Sequence, residues 1–258
     1  MRKVVAAVGS LLFRGFVVVT SILLFPFALL LWAMTRPFDP RTRALNAFTC
    51  FWASLYSWLN PLWAVQISGK DNIRPGVTYV MVANHLSLVD ILVLFRLFVP
   101  FSWVSKEEVF RVPVIGWNMR LDGYIPLKRG DRASAAGMMQ ACRMTLGAGT
   151  SIMMLPEGTR SRTGELRTLK PGAFELALQT GRPLLPIAVD GSAQALPKRG
   201  FILRGRSVIR VCVLPEIGAP ARSDSSAVAL ASSVRDVIAE ELTDMASVDA
   251  LASADSLS

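Results

Sequence analysis

The chain has 258 residues, of which 52% are hydrophobic, and a formal net charge of +9. This length suits one catalytic domain with its own core plus a smaller appendage. The apolar and basic composition favours work at a membrane surface, where apolar segments insert and cations attract anionic headgroups. Nucleic acid is the other explanation of the charge, but no nucleic-acid-binding motif accompanies it. The widely separated Cys50, Cys142 and Cys212 match no disulfide framework or zinc pattern, so we expect a reducing compartment and no cysteine-held metal.

Two long apolar runs open the chain. No charged residue lies between Arg14 and Arg36 or between Arg43 and Lys70, and each run is long enough for a helix of membrane length. A signal peptide is a poorer explanation of the first run, because no small-residue cleavage site ends it and a second run follows. In the second run, large apolar residues recur at helical spacing, which suits either the headgroup boundary or a core-packing face. These residues are Phe48, Phe51, Trp52, Leu55, Tyr56, Leu59 and Trp63.

The charges around the two runs predict their topology. Arg36, Arg41 and Arg43 lie in the connection, and the segments before and after the pair are also basic. The positive-inside rule therefore retains all three regions on one side of the membrane. We expect residues 1–64 to form a membrane-associated helical hairpin in one leaflet, with a break permitted at Pro26 and the aromatic face of the second helix at headgroup depth. Two complete spans are the alternative.

From about residue 65 onward, short apolar runs alternate with helical stretches, which predicts an α/β domain over residues 65–245. Strands are predicted at residues 78–83, 101–105, 152–155, 184–189 and 207–213, and helices at 87–98, 132–146, 172–180 and 226–245. Residues 246–258 are rich in Ser, Ala and Asp, so we expect a disordered tail.

The single histidine, His85, stands five residues before Asp90. A neutral imidazole is well suited to take a proton from an alcohol, and a carboxylate on its second nitrogen fixes the tautomer. Residues five apart on one helix point about 140° apart. Both side chains therefore reach one site if a strand ends near Ala83, His85 lies in the turn and Asp90 begins the next helix. A hydrogen-bonded turn histidine beside a helix N-terminal carboxylate is the structural alternative.

A second turn, residues 156–161, follows an apolar strand, which is where open α/β sheets place ligand groups. Arg160, Arg162, Arg167 and Lys170 lie within eleven residues, and the planar fork of arginine suits phosphate. Lys106, beyond another predicted strand, is a candidate phosphate partner or an ordinary solvated lysine. The proline-flanked strand at 184–189 is expected either to wall the site and contact an acyl chain or to be a core strand.

These motifs together resemble the four blocks of the glycerolipid acyltransferase family, and most strongly its bacterial lysophosphatidate acyltransferases. The resemblance covers residues 65–213. One departure is Leu155, where the family commonly has Phe, and it bears on packing or acyl preference rather than on a catalytic role. The blocks are Asn84-His85-x4-Asp90, Lys106 with Pro113 and Gly116, residues 156–161, and Leu185-Pro186-Ile187.

The resemblance implies a mixed β-sheet flanked by helices and a metal-free acyl transfer without a cofactor or an acyl-enzyme. The residue matching His85, oriented by the one matching Asp90, deprotonates the sn-2 hydroxyl of lysophosphatidate. That hydroxyl attacks the thioester of acyl-CoA or acyl-carrier protein, and phosphatidate forms. Glycerol phosphate is bound by the residues that match Glu157, Gly158, Thr159 and Arg160, with the one matching Lys106 as a further phosphate partner.

The partners implied are thus a lysophospholipid acceptor, a thioester donor and membrane lipids, with no nucleic acid. Because thioester donors are cytosolic, the expected location is the cytoplasmic face of the cell inner membrane. Two alternatives stay open: an acyltransferase for another lysolipid, such as lyso-ornithine lipid, and a non-catalytic lipid-binding scaffold.

Overall fold

The computed structural model describes residues 2–160, 165–196, 205–218 and 226–255. Its α-helices are α1 (Arg2–Thr35), α2 (Arg43–Trp58), α3 (Val89–Leu94), α4 (Ile115–Leu121), α5 (Arg132–Gly147), α6 (Gly172–Thr180), α7 (Ser192–Ala195) and α8 (Ala227–Asp255). Its strands are β1 (Trp63–Ser68), β2 (Val80–Ala83), β3 (Phe101–Lys106), β4 (Ile125–Leu127), β5 (Ser151–Met154), β6 (Leu184–Asp190) and β7 (Ser207–Val213). Short 3-10 turns occupy Lys70–Asn72, Phe95–Leu97 and Glu107–Arg111.

The seven strands form one mixed sheet in the order β1-β7-β6-β2-β5-β3-β4. Every neighbouring pair is parallel except β6 and β7. This confirms the predicted α/β fold with a mixed sheet. Because β6, β2, β5, β3 and β4 run in the same direction, their carboxyl ends meet at one edge of the sheet.

Helices cover both faces of the sheet. Along β2, Met81 and Ala83 belong to the core cluster with α2 and α3, whereas Val80 and Val82 belong to the cluster with α5, α6 and α8. Successive side chains of a strand point to opposite faces, and burial on both faces explains the uninterrupted apolar run of this central strand. The five predicted strands are all present. The sequence missed β1, which lies inside the second apolar run, and β4, which has only three residues.

The first apolar run forms one continuous helix, so the break that Pro26 permits does not occur. Packing on both sides of the proline holds the helix together: the ring of Phe25 lies 5.6 Å from that of Trp117, and Ala28 is fully buried. A proline removes one backbone hydrogen bond, which these contacts offset. Among the described residues, Ala6–Thr35 is the one helix segment long and apolar enough to cross a membrane.

The second apolar run does not form a membrane-length helix. The helix α2 has 16 residues, ends at Trp58 and leads into β1. The prediction that the aromatic face of this helix lies at headgroup depth is also wrong, because Trp52, Tyr56 and Trp63 are buried. The Tyr56 hydroxyl contacts Ser21 of α1 at 2.9 Å and accepts from the Trp52 indole. The core-packing alternative is therefore correct, since this face joins α1 to the domain.

The C-terminal helix continues to Asp255, so the prediction of disorder is wrong for residues 246–255, and residues 256–258 lie outside the described part of the chain. Four alanines in this stretch, at 246, 250, 252 and 254, explain the difference, because alanine has the highest intrinsic helix propensity.

Candidate active site

The predicted site residues meet at the carboxyl edge of the sheet. His85 lies two residues beyond β2, the 156–160 turn follows β5, and Lys106 ends β3. Since the strand order is β2-β5-β3, these three segments are neighbours. Five of the predicted residues line one cavity of about 830 Å³, while Asp90 and Glu157 lie behind its wall. The lining members are His85, Lys106, Gly158, Thr159 and Arg160.

The His85–Asp90 pair has the geometry that the five-residue spacing predicted. The strand β2 ends at Ala83, and Asp90 lies in the first turn of α3. His85 Nδ1 is 2.9 Å from Asp90 Oδ2, and Asp90 is fully buried. Because the carboxylate can only accept, we assign the imidazole proton to Nδ1. This leaves Nε2 as a free base.

The Asp90 carboxylate also shapes the turn that carries the histidine. Its Oδ2 accepts from the backbone N–H of Leu86 at 2.7 Å and of Ser87 at 2.8 Å. The turn is fixed from the other side by Asn84, whose amide exchanges two hydrogen bonds with the backbone of Val189 at 2.7 and 2.8 Å. Two neighbouring elements, α3 and β6, therefore hold His85 in place.

Glu157 supports the same turn. Its Oε1 accepts from the backbone N–H of His85 at 2.8 Å, and its Oε2 accepts from the N–H of Arg167 at 3.4 Å. Burial raises the pKa of the Glu157 carboxyl above its usual value, and these N–H donors only partly counter that effect. The structure thus places Glu157 between two loops and away from the cavity lining.

One end of the cavity is basic. Besides Lys106 and Arg160, it is lined by Arg129, which follows β4, and by Lys170, which precedes α6. Gly158 has φ 69°, and a Cβ there would lie 2.9 Å from Lys170 Nζ, so the glycine leaves room for that ammonium. Lys106 Nζ also pairs with Glu108 at 3.0 Å.

The sequence alone assigns Arg129 no role, because the strand that positions it, β4, was not predicted. Among the other cations named from the sequence, Arg162 lies outside the described residues, and Arg167 contributes its backbone N–H to Glu157 and is absent from the cavity lining.

The rest of the cavity is apolar and lies between the sheet and the helices α2, α3 and α4. Trp52, Ala53, Trp103 and Met119 are among its lining residues. The strand β6 contributes no lining residue and is buried from Leu184 to Val189, so its core-strand interpretation is the correct one. A cavity with a cationic end and an apolar end matches an amphiphile that has an anionic headgroup and a hydrocarbon chain.

Comparison with known proteins identifies the family of this chain. A family model described as Acyltransferase matches residues 64–190. A 1-acyl-sn-glycerol-3-phosphate acyltransferase of Chlamydomonas reinhardtii is 32% identical over 247 residues, which cover 93% of this chain and 74% of that protein. This chain belongs to the acyltransferase family.

Other members of the acyltransferase family show similar matches. A chloroplastic 1-acyl-sn-glycerol-3-phosphate acyltransferase of Arabidopsis thaliana is 34% identical over 88% of this chain, which spans 60% of that protein's length. A bacterial protein of the same name from Borreliella burgdorferi is 30% identical over 68% of this chain and 70% of its own length. The crystal structure of the 1-acyl-sn-glycerophosphate acyltransferase PlsC from Thermotoga maritima has the same fold, with a TM-score of 0.80 over 95% of this chain and 98% of that chain, at 23% identity.

Proposed function

We propose that this acyltransferase-family protein transfers a fatty acyl group from acyl-CoA or acyl-carrier protein to the sn-2 hydroxyl of lysophosphatidate, giving phosphatidate. The observation that carries the proposal is the cavity itself. His85, hydrogen-bonded to Asp90, lies in the wall of this cavity between its cationic end and its apolar end. Several relatives are named for this activity, which supports the choice of acceptor.

His85 acts as the general base. Its Nε2 takes the proton of the acceptor hydroxyl as the oxygen attacks the thioester carbonyl, and Asp90 stabilises the imidazolium that forms. The tetrahedral intermediate then collapses, the C–S bond breaks, and the imidazolium returns the proton to the leaving thiolate. The products are a new ester and a free thiol, so neither a metal nor an acyl-enzyme is needed in this proposal.

The cationic end holds the acceptor phosphate. Arg160 offers paired N–H donors, and Lys170 and Lys106 add point charges. With the phosphate fixed there, the glycerol hydroxyl reaches toward His85 while the acyl chain enters the apolar part. Glu157 is not a good phosphate ligand, because a carboxylate repels a phosphate and both of its oxygens already accept backbone N–H groups.

We also place the enzyme on the cytoplasmic face of the cell inner membrane, with α1 inserted in one leaflet. One face of α1 packs on α2 and α4, and the rest leaves large apolar side chains uncovered, which suits burial in lipid. The uncovered side chains are Val8, Leu11, Leu12, Val18, Val19, Ile22, Leu23, Phe27, Leu29, Leu30 and Met34.

The connection between α1 and α2 supports a single-sided placement. The Arg41 guanidinium lies against Gly149, and the Thr42 hydroxyl contacts the backbone carbonyl of Asp122 at 3.5 Å. Both contacts join the connection to the catalytic domain. A connection exposed on the far side of the membrane would have to break them.

The function is tested by offering the purified protein a panel of lyso-acceptors, with acyl-CoA and acyl-carrier protein as donors, and measuring thiol release. We expect lysophosphatidate to be the best acceptor and Arg160→Ala to raise its KM about tenfold or more, since a charge-assisted contact is lost. The matched control is Arg235→Ala, because Arg235 lies on α8 and pairs with Asp236.

Two results would contradict the proposal. In the first, a lyso-acceptor without a phosphomonoester is used faster than lysophosphatidate, and Arg160→Ala leaves the KM for lysophosphatidate unchanged. The protein would then act on another acceptor. Binding of lysolipid without any thiol release would instead indicate a lipid-binding scaffold.

A further inference from the structure

The opening of the cavity has two chemically different sides. Five of the lining residues are exposed, and they lie where the cavity reaches the surface. Three of them are the cations Lys106, Arg129 and Lys170, and the other two are apolar: Leu88 is 55% exposed and Ile115 is 37% exposed. The cations belong to the end that holds the acceptor phosphate, whereas the proposed function gives the two apolar residues no role.

A strained turn places Ile115 at this opening. Val114, directly before α4, has φ 66° and ψ −61°, and the N–H of Ile115 donates to the Pro113 carbonyl at 2.7 Å. This is a γ-turn of the rare, strained type, and a positive φ is especially unfavourable for a β-branched residue such as valine. The next residue is Gly116, where a Cβ would meet the Phe110 carbonyl. Pro113 and Gly116, two residues of the family blocks, thus build this turn.

The turn distributes neighbouring side chains between the cavity and the N-terminal helix. Ile115 lines the cavity, whereas Val114 packs on the cluster of buried residues that α1 and α2 form. The Trp117 ring lies 5.6 Å from the ring of Phe25 on α1. Backbone strain persists only where the surrounding structure holds it, and it is common at functional sites. Here the strained residue joins the cavity opening to α1.

The other apolar side of the opening is connected to the same cluster. Leu88 has helical backbone angles and directly precedes α3. Leu92 follows it by four residues, so the two side chains lie on one side of the helix. Leu92 lines the cavity and packs on the α1–α2 cluster. Both apolar residues of the opening therefore adjoin the cluster that holds α1.

An apolar surface continues from the opening to the lipid-facing side of α1. Ile22 and Leu29 lie three residues before and four residues after Phe25, and both are uncovered. Residues at these spacings are neighbours on a helix surface. Trp117, which contacts Phe25, is itself 49% exposed and lies in the same turn of α4 as Ile115. The opening is therefore roughly one helix diameter, about 10 Å, from the side chains that we place in lipid.

We infer that the cavity opens toward the leaflet between Leu88 and Ile115, and that these two residues bind the acyl chain of the lyso-acceptor while its tail stays in lipid. The cations at the opening take the acceptor phosphate, and the two apolar residues take the adjoining chain. Such an opening keeps the chain out of water, where its apolar surface would be costly to expose. The acyl donor arrives from water, so its recognition should not depend on these residues. The inference rests on the proposed acyl transfer and describes how the acceptor is recognised.

Acceptor chain length tests this assignment. The purified full-length protein, in vesicles of phosphatidylcholine and phosphatidylglycerol, receives oleoyl- or butyryl-lysophosphatidate with one acyl-CoA donor, and kcat/KM is compared. We expect Ile115→Thr and Leu88→Ala each to lower the oleoyl-to-butyryl ratio about fivefold, because each loses apolar contact with the longer chain. The ratio between long and short acyl-CoA donors should stay at the wild-type value.

Val228→Thr is the matched control. Val228 is an exposed aliphatic residue on α8, which packs on the other face of the sheet. The change to threonine makes an exposed β-branched side chain more polar, as in Ile115→Thr, but far from the opening. The control should keep both the acceptor ratio and the donor ratio.

A second measurement tests the opening without using activity. With the native cysteines replaced, a fluorophore is attached to Ile115→Cys, and the vesicles contain lipids that carry a nitroxide on the acyl chain. We expect quenching of this fluorophore and none of the same fluorophore on Val228→Cys. Because quenching requires contact with the lipid chains, it reports the position of residue 115 even where the substitution impairs turnover.

Each failure is distinguishable. Folded Ile115→Thr and Leu88→Ala variants that both keep the wild-type oleoyl-to-butyryl ratio would overturn the inference, as would absence of quenching at position 115. A fall in the donor ratio in place of the acceptor ratio would assign the two residues to the donor chain and overturn it as well. Wild-type protein that releases no thiol with any acceptor would overturn the proposed function, and this inference with it.

Discussion

At the residue scale, two buried carboxylates hold the turn that carries His85. Asp90 and Glu157 accept hydrogen bonds from adjacent backbone N–H groups of the same turn. The contact between His85 and Asp90 was predictable, because five residues of a strand-turn-helix segment bring them together locally. The contact with Glu157 was not predictable from spacing, since 72 residues separate it from His85, and the family resemblance implied a substrate contact instead.

Glu157→Gln tests this positioning role. A glutamine has one acceptor oxygen, so it cannot accept from both His85 and Arg167, and the His85 turn loses a support. We expect kcat to fall about tenfold while KM for lysophosphatidate changes little. Glu175→Gln, an exposed position on α6, is the control for the same chemical change. A large rise in KM with kcat preserved would return Glu157 to a substrate-binding role.

At the element scale, the helices α2 and α4 join around the buried carboxylate of Asp122, which accepts hydrogen bonds from Thr49 and Asn118. Burial raises the pKa of Asp122 from 3.8 to about 7, although Thr49, Tyr124 and Asn118 favour its charged form. The folded-state pKa therefore lies above the unfolded one. The stabilising contribution of Asp122 is complete below about pH 4 and is lost as the pH rises to about 7.

Asp122→Asn removes this titration. We expect the free energy of unfolding of the wild type to fall, relative to the variant, by up to about 1.4 kcal/mol per pH unit between pH 4 and 7. Chemical denaturation at several pH values in detergent measures the difference between the two proteins. Because other carboxylates contribute equally to both, parallel pH profiles would rule out a raised Asp122 pKa.

Secondary structure was predictable where an element has a strong pattern of its own. The helix α6 has the predicted bounds, and β7 does as well. The strand β4 has three residues and only β3 as its partner in the sheet, so it exists through tertiary pairing and leaves no local signal. Without β4, nothing in the sequence places Arg129 at the cationic end.

At the scale of the whole molecule, the apolar N-terminal quarter of the chain has two different roles. The sequence predicted helical segments there, but hydrophobicity alone does not distinguish a lipid-facing helix from a core helix. The Ser21 and Tyr56 contact and the burial of Trp52 make α2 a core helix, and α1 keeps a large uncovered apolar surface. Only the three-dimensional arrangement separates these roles.

A cysteine at position 38 tests the single-sided membrane placement. Phe38 is 88% exposed in the connection between α1 and α2, so Phe38→Cys is reachable without disturbing the core. With the native cysteines replaced, we expect a membrane-impermeant reagent to label it only after spheroplasts are lysed. Glu175→Cys, on the catalytic domain, is the control for the cytoplasmic side. Labelling of Phe38→Cys in intact spheroplasts would reject the single-sided placement.

The central claim, that His85 is the base of an acyl transfer, is tested most directly by thiol release from acyl-CoA in the presence of lysophosphatidate. We predict acceptor-dependent release by the wild type, a loss of at least about a thousandfold in His85→Ala, and an intermediate rate in Asp90→Asn, which keeps an acceptor oxygen but loses the charge. Unfolding temperatures close to the wild-type value would show that the variants are folded. Turnover by folded His85→Ala within a few fold of the wild-type rate would contradict the account.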